Sequence, residues 1–237
     1  MENEAHALEW TDSTIARFWR HEQHFPEHSF SSKYGSAIIS HFSAYLAKGS
    51  RVLDFGSGPG YLTTLLARRG CRVWATDVLE EARSATCARN IDVHGFMGCL
   101  PPSSLQKHEG YFDCIVAVEI IEHLTDAAFD EFWLTAHSLL RASGTLFITT
   151  PNAENLEKKS VYCPGCGHTF HRWQHVRSVT VELLIDVAEK YGFRPVSVGT
   201  VDFRRSTSLW NWLIKRVNIR RGSTSEPHLY AVLAAIP

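Results

Sequence analysis

The feature that most constrains the fold is the segment RVLDFGSGPGYLTTLLARRG, residues 51–70. Its short apolar run predicts a buried strand, three glycines follow between positions 56 and 60, and a helix then extends to Gly70. Units of this kind are typical of open parallel sheets, in which ligands bind beyond the carboxyl ends of the strands. The bare backbone before the helix predicts that a ligand approaches closely there.

The same alternation of strand and helix runs through the rest of the chain. Strands with few alternating polar residues, separated by helices, indicate a parallel sheet covered on both faces. The predicted fold class is therefore doubly wound α/β. Thr125 is expected to cap the helix that follows it. The predicted strands are 51–55, 71–77, 111–119, 144–150, 193–201 and 228–236, and the predicted helices are 10–23, 33–47, 61–70, 79–90, 126–141 and 180–190.

Length and charge limit the remaining classes. A chain of 237 residues suits one domain, 1–237, with room for an insertion. The formal net charge of −1 gives no global field that would attract nucleic acid or a membrane. The acidic start MENEAHALEW does not have the pattern of a signal peptide, and no apolar stretch approaches the ~20 residues of a membrane span. We therefore expect a soluble, cytoplasmic protein whose six cysteines are thiols or metal ligands.

The spacing of the glycines bears on the ligand. A dinucleotide fingerprint has the spacing G-x-G-x-x-G, whereas this chain has G-x-G-x-G with Tyr61 in the place of the third glycine. Asp54, before the loop, would repel a diphosphate but suits an ammonium group. Asp77 ends the second strand, where it can accept hydrogen bonds from ribose hydroxyls, although a nicotinamide dinucleotide would suit it almost as well. S-adenosylmethionine carries an ammonium and a ribose and has no phosphate.

Three segments, VLDFGSGPGYLTTLLA, VWATDV and FDCIVAVEIIEHL, together resemble the class I S-adenosylmethionine-dependent methyltransferases. The resemblance implies a Rossmann-like, mostly parallel seven-stranded sheet with helices on both faces. It also implies that the glycine loop holds the methionine part, that Asp77 holds the ribose, and that the end of the fourth strand lies near the methyl group. Cys99 stands where family members often carry an aspartate. The predicted cofactor residues are Asp54, Gly56, Ser57, Gly58, Gly60, Tyr61, Asp77, Val78, Val118 and Glu119.

The motif VEIIEHL sets Glu119, Glu122 and His123 at the end of a predicted strand. It resembles the ubiquinone-pathway O-methyltransferases. It also resembles the small-RNA 3′-terminal ribose methyltransferases, which hold a divalent ion with this motif and a downstream histidine, here about His175. Three interpretations stay open: a divalent cation site at Glu119, Glu122 and His123, a catalytic pair in which His123 is the general base beside Glu122, and a purely structural pair.

The stretch 152–177 is a Cys/His-rich insertion that contains VYCPGCGHTFHRWQHV. A C-P-x-C-G sequence is typical of a zinc knuckle, and a structural zinc needs four ligands. The nearest histidines are His168, His171 and His175. The last two are spaced i, i+4, so one helical turn would bring them to a common face. The predicted set is Cys163, Cys166, His171 and His175, with a redox pair or unmetallated thiols as the alternatives. His175 cannot easily serve both metal sites.

The two ends carry weaker signals. Residues 1–48 are predicted to form a helical lid over the cofactor, in which Trp19, His21 or Phe30 can touch the acceptor. Residues 204–226 interleave basic and aromatic side chains, a pattern found in covers over a sheet and in sites for phosphate, RNA or membrane surfaces.

These observations predict an S-adenosylmethionine-dependent methyltransferase acting on the oxygen of a small molecule or biosynthetic intermediate. One alternative is a metal-dependent RNA ribose 2′-O-methyltransferase. The other is a non-catalytic protein that displays a zinc loop on a methyltransferase fold.

Overall fold

The computed structural model of the chain describes residues 5–205 and 227–236. Short 3-10 helices lie at Pro26–His28, Ser43–Tyr45, Pro102–His108, Glu157–Lys159 and Phe203–Arg205. The α-helices are α1 (Asp12–Glu22), α2 (Phe30–His41), α3 (Tyr61–Arg68), α4 (Glu80–Asn90), α5 (Asp126–Leu139) and α6 (Val181–Lys190). The strands are β1 (His6–Ala7), β2 (Arg51–Phe55), β3 (Arg72–Thr76), β4 (Phe96–Leu100), β5 (Phe112–Val118), β6 (Leu140–Pro151), β7 (Ser160–Tyr162), β8 (His168–His171), β9 (Phe193–Val201) and β10 (His228–Ala235).

A seven-stranded sheet in the order β4-β3-β2-β5-β6-β10-β9 forms the centre of the molecule. Strands β2 to β6 pair in parallel, and β10 is antiparallel to both of its neighbours. The chain order reverses between β2 and β5, which is the switch point where ligands bind in such sheets. The predicted doubly wound, mostly parallel seven-stranded sheet is confirmed.

Helices cover both faces of this sheet because successive strand residues point to opposite sides. In β5, Ile115 and Ala117 join a buried cluster that includes Trp133 of α5 and Leu184 of α6. The intervening residues Cys114, Val116 and Val118 join a second cluster that includes residues of α2 and α3. The two cores hold the carboxyl edge of the parallel strands rigidly, and the candidate site lies at that edge.

A second, small three-stranded sheet has the order β1-β8-β7. The hairpin β7–β8 is antiparallel, and the two-residue strand β1 pairs with β8 in parallel, with His6 opposite His168. The N-terminal segment and the Cys/His-rich insertion are therefore joined by backbone hydrogen bonds.

Several local expectations differ from the structure. The helix predicted at 33–47 is α2, Phe30–His41, followed by a 3-10 turn, although Ile38, Phe42 and Leu46 are all buried as the apolar stripe predicted. Thr125 occupies the N-cap position of α5 as predicted, but within the described residues its side chain makes no capping hydrogen bond. Most of the basic segment 204–226 lies outside the described residues. Among the described residues, no helix is long and apolar enough to cross a membrane.

Candidate active site

The glycine loop uses its three glycines for different reasons. Gly56, Gly58 and Gly60 have φ angles of 75°, 51° and 79°, which are unfavourable for other residues. A Cβ atom on Gly56 would lie 2.2 Å from Ile120 Cδ1, and one on Gly60 would lie 2.8 Å from Asn90 Nδ2. A Cβ on Gly58 would meet nothing within 4 Å. Gly58 is therefore the point at which the loop backbone faces open space.

Asp54 is buried in β2, next to this loop. Its Oδ2 accepts a hydrogen bond of 2.6 Å from the Thr63 hydroxyl in α3. Burial raises the pKa of Asp54 to about 7, and the Thr63 hydrogen bond opposes that rise. The Thr63 hydrogen bond thus offsets only part of the cost of burying this carboxylate. A bound cation would offset the rest. Ser57 is also buried, and its hydroxyl lies 3.4 Å from that of Thr86.

Asp77 follows β3 and faces the same loop. Its Oδ2 accepts a hydrogen bond of 3.0 Å from the Gly58 N–H, and its Oδ1 accepts one of 2.9 Å from the Leu79 N–H. Burial raises the pKa of Asp77, and these two amides oppose the rise. The next side chain, Val78, is 77% exposed, which is unusual for valine and leaves an apolar surface beside the carboxylate.

Two residues considered for cofactor binding, Tyr61 and Cys99, contact other parts of the protein. The Tyr61 ring lies under the guanidinium of Arg89, 4.0 Å from the ring centroid. The Cys99 thiol donates to the Arg83 carbonyl at 3.3 Å and lies 3.0 Å from the Cys87 sulfur, so it faces α4.

Glu119 follows β5 with a φ of 54°, a strained conformation for a non-glycine residue. Its Oε1 accepts a hydrogen bond of 2.8 Å from the Thr149 hydroxyl, and its Oε2 lies 3.3 Å from His228 Nε2. The preceding Val118 is buried in the core between the sheet and α2–α3. Glu119 is thus held by β6 and β10.

A buried cluster of one carboxylate and two imidazoles lies beyond Glu119. Ligand atoms of Glu122, His123 and His175 lie within 4.8 Å of one another. Glu122 is 1% exposed and, within the described residues, its Oε1 has no hydrogen-bond partner. Burial, followed by the charge of Glu119, raises the pKa of Glu122 well above its usual value. Burial and the neighbouring His175 lower the pKa of His123 to about 3, so its imidazole is neutral. The predicted cation set differs from this cluster, because Glu119 is turned to Thr149 and His228.

Glu154 orients His175. Its Oε2 makes a short hydrogen bond with His175 Nδ1, and its Oε1 accepts one of 2.5 Å from Lys159. His171 Nε2 lies 3.7 Å from the same Oε1, too far for a hydrogen bond. Burial would raise the pKa of Glu154, but these three basic neighbours hold it well below its usual value. Glu154, His171 and His175 also have ligand atoms within 4.8 Å of one another.

The predicted zinc set is not brought together. His171 ends β8, and the next residues form a turn in which Gln174 has a φ of 61°, rather than the expected helical turn. The His171 and His175 rings do stack, with centroids 4.4 Å apart. However, they contact Glu154, and within the described residues neither Cys163 nor Cys166 belongs to a group of three close ligand atoms.

The N-terminal helix α1 rests on this cluster. Trp19 Nε1 donates a hydrogen bond of 2.8 Å to the buried Gln174 Oε1, and the Trp19 ring lies 4.8 Å from that of His123. The Gln174 amide also donates to the His123 carbonyl at 2.9 Å. Helix α1, the insertion and the loop after β5 therefore meet around one glutamine.

Sequence reasoning missed Thr63, Glu154, Gln174 and His228. Two of them carried a usable signal: Glu154 follows a predicted strand at the ligand edge, and His228 begins the last strand. The other two are ordinary polar residues whose importance depends on a tertiary contact.

Comparisons with known proteins agree with this geometry. A family profile described as a methyltransferase domain matches residues 18–198. The chain is 31% identical over 177 residues to the ubiquinone biosynthesis O-methyltransferase of Rhizobium johnstonii, covering 71% of this chain and 70% of that one. It is 27% identical over 179 residues to the human mitochondrial enzyme of that name, covering 69% of this chain and 47% of that one. The chain thus spans about half the length of its mammalian relatives.

Among solved structures, the fold is similar to that of 1,6-didemethyltoxoflavin-N1-methyltransferase from Burkholderia thailandensis, which was solved with S-adenosylhomocysteine. The TM-score is 0.68 at 16% identity, covering 98% of this chain and 94% of that one. The methyltransferase-domain match covers most of the chain, and the glycine loop, Asp54 and Asp77 lie at the switch point of the sheet. The chain therefore belongs to the class I S-adenosylmethionine-dependent methyltransferases.

Proposed function

We propose that the protein transfers a methyl group from S-adenosylmethionine to a hydroxyl oxygen of a small-molecule acceptor. The observation that carries the proposal is one of placement: the cofactor residues and the Glu122–His123–His175 cluster lie at the same edge of the sheet. A methyl donor bound at the first would face an acceptor held at the second.

The residues present fit this cofactor. Gly58 offers open space against bare backbone, and the buried carboxylate of Asp54 suits the ammonium of the methionine part. Asp77 is already aimed at the loop by two amides, and Val78 presents an exposed apolar surface suited to an adenine ring. Tyr61 and Cys99 are turned to other partners, so we assign them no direct contact with the cofactor.

When bound, S-adenosylmethionine supplies a methyl group on a positively charged sulfur. The protein then has to align an acceptor oxygen behind that carbon and remove its proton. His123, with a pKa of about 3, is a weak base at neutral pH. Its neutral ring is better suited to ligating a cation. This observation favours the cation interpretation over general-base catalysis by His123.

We propose further that Glu122, His123 and His175 hold a divalent cation. The unpartnered Glu122 Oε1 and the neutral imidazoles fit a cation, and Glu154 fixes the His175 tautomer through Nδ1, so that Nε2 is available as a ligand. A bound cation would acidify an acceptor hydroxyl. Glu119, held by Thr149 and His228, borders the methyl-transfer position in this proposal.

The position of α1 supports a small acceptor rather than a polymer. Trp19 covers His123, which leaves less room for a polymer than for a small aromatic or saccharide hydroxyl compound. Relatives named for ubiquinone biosynthesis support the same class of acceptor. The RNA and non-catalytic alternatives are not favoured by the comparisons.

A cytoplasmic location also belongs to the proposal. All six cysteines are free thiols in the structure, which suits a reducing compartment.

The test is a methyl-transfer screen with phenolic, catecholic, saccharide and RNA acceptors, each with Mg²⁺, Mn²⁺, Zn²⁺ or EDTA. We expect transfer to a small hydroxyl compound that depends on a divalent cation. Glu122→Gln and His175→Asn should lose about 10–100-fold of activity. Binding of S-adenosylhomocysteine, measured by calorimetry, should be unchanged in both.

The matched control is His94→Asn, at an exposed histidine before β4, which should retain full activity. Absence of S-adenosylhomocysteine binding would overturn the whole proposal, transfer to RNA alone would overturn the acceptor class, and full activity in EDTA would overturn the cation.

A further inference from the structure

The turn between β7 and β8 carries the C-P-x-C-G sequence that is typical of a zinc knuckle. The Cys163 N–H donates to the His168 carbonyl at 2.8 Å, and the Gly167 N–H donates to the Cys163 carbonyl at the same distance. Gly167 takes the left-handed conformation, with a φ of 76°. The Cys163 sulfur makes a hydrogen bond with the Cys166 thiol and accepts hydrogen bonds from the N–H groups of Cys166 and Gly165. Amides directed at a cysteine sulfur stabilise a thiolate, the form that ligates metal.

Two histidines lie next to these sulfurs. His168 Nδ1 is 3.2 Å from Cys166 Sγ. His6 pairs with His168 across the parallel β1–β8 ladder, so both side chains point to the same face of the small sheet. Their ring centroids are 4.1 Å apart. Four soft or borderline donors are thus gathered at one end of the β7-β8-β1 sheet.

The more distant histidines are engaged elsewhere. His171 and His175 are buried and contact Glu154, whereas Cys166 is exposed. Bringing His171 and His175 to the cysteine sulfurs would break their contacts with Glu154 and expose buried imidazole rings. Ligation by His168 and His6 requires neither change.

We propose that Cys163, Cys166, His168 and His6 form a structural zinc site that fastens the first strand to the insertion. No three of these ligand atoms all lie within 4.8 Å of one another in the structure. Closure requires rotation of the exposed side chains of Cys166 and His6 about their χ angles.

Zinc is the metal that this donor set favours. Two thiolates and two imidazoles in tetrahedral arrangement match its preferred structural coordination, whereas the carboxylate-containing cluster near Glu122 suits harder cations. The site would fasten β1, and the chain that leads from β1 into α1, to the hairpin. The zinc would thus hold the lid helix near Gln174 without touching the acceptor.

Cobalt substitution provides the test. We expect Co²⁺ added to the full chain to produce thiolate-to-cobalt charge-transfer absorption, which only sulfur ligation produces. This absorption should saturate at one equivalent of sulfur-bound Co²⁺, and Co²⁺ at the Glu122 cluster should not contribute to it. Cys163→Ser and Cys166→Ser should abolish this absorption. His168→Gln and His6→Gln should each weaken zinc affinity, measured by competition with a chelating dye, by at least about tenfold.

His171→Gln is the discriminating control, because it removes a ligand of the rival set and leaves the proposed set intact. Loss of the charge-transfer band in that variant, with retention in His168→Gln, would overturn the ligand assignment. Wild-type affinity in His6→Gln would overturn the role of β1, and absence of the band in the wild-type protein would overturn the site itself. S-adenosylhomocysteine binding, measured in parallel, reports on the proposed function separately.

Discussion

Asp54 is a carboxyl group whose protonation should control cofactor binding. Its pKa is raised to about 7 by burial, and an ammonium ligand stabilises the ionised form. Affinity for S-adenosylhomocysteine should therefore rise with pH up to about 7 and level off above it. We expect Asp54→Asn to bind more weakly and to flatten this rise, as measured by titration calorimetry between pH 5.5 and 8.5.

Thr63→Val is the companion variant. It removes the hydrogen bond that opposes the raised pKa, at nearly constant side-chain volume. The midpoint of the affinity curve should therefore move to higher pH. An unchanged midpoint in Thr63→Val would show that another group governs the pH dependence.

The glycine loop offers a matched pair of substitutions. Gly56→Ala and Gly58→Ala both place a side chain at positive φ, which costs about 1–2 kcal/mol. The Gly56 methyl would also overlap Ile120, so its total loss of unfolding free energy should reach about 3 kcal/mol or more. Gly58→Ala should lose only the conformational cost of about 1–2 kcal/mol in unfolding free energy. It should nevertheless bind the cofactor more weakly, because its methyl group fills the open space beside the loop backbone.

Denaturant unfolding and calorimetry on both variants separate the two effects. Equal destabilisation of both variants, or full affinity in Gly58→Ala, would contradict these roles.

At the scale of elements, three strands are tied together at the edge opposite the site. Asp113 of β5 accepts hydrogen bonds from Arg51 of β2 at 3.0 and 3.1 Å and from Arg141 of β6 at 2.6 Å. The Arg51 hydrogen bond holds the pKa of Asp113 well below its usual value. Asp113→Asn should therefore lower the unfolding free energy at pH 7 by about 1–2 kcal/mol.

The sign of the pH dependence follows from that lowered pKa. The contribution of Asp113 is present above its unfolded value of 3.8 and is lost as the pH falls towards its folded value. The difference in unfolding free energy between the wild-type protein and Asp113→Asn should thus become smaller below about pH 4. Glu131→Gln, at an exposed acid on α5, makes the same charge change and should leave stability at pH 7 unaltered. A gap that persists in acid would contradict the ion-pair origin.

Six of the seven strands of the main sheet could be predicted from sequence because each follows from a local pattern. The edge strand β4 was missed, since none of its residues is buried and Gly98 interrupts its short apolar run. Apolar runs identified β2, β3, β5 and β6, and Asp54 and Asp77 could be placed at the carboxyl edge of the sheet because they stand at or next to the ends of such runs. The pairing of β1 with β8 had no local signal, since a two-residue strand is defined only by its partner. The placement of His171 and His175 failed for a similar reason: their spacing fits a helix, but the chain continues from a strand into a turn.

At the scale of the whole molecule, α1 and the insertion meet beside the Glu122 cluster and form one unit, the cover. Trp19→Phe keeps the ring over His123 but removes the donor to the buried Gln174 Oε1. Leaving that oxygen unsatisfied should cost about 1–3 kcal/mol. We expect hydrogen exchange in residues 12–22 to become faster, with the main sheet unaffected.

Trp10→Phe is the control, because phenylalanine preserves its edge contacts with Phe18 and Phe170. Equal exchange in both variants would contradict a specific role for the Trp19 hydrogen bond. The sequence suggested a lid over residues 1–48, but its contact with the insertion depends on the arrangement of the whole chain.

The ladder between β1 and β8 also constrains when the cover can assemble. It pairs His6 with His168, so on a ribosome β1 emerges long before the strand that it must join has been synthesised. Strand β1 has to wait while the central sheet forms, and closing so large a loop is slow. The contact between α1 and the insertion should therefore be completed as one of the last events in the maturation of this protein.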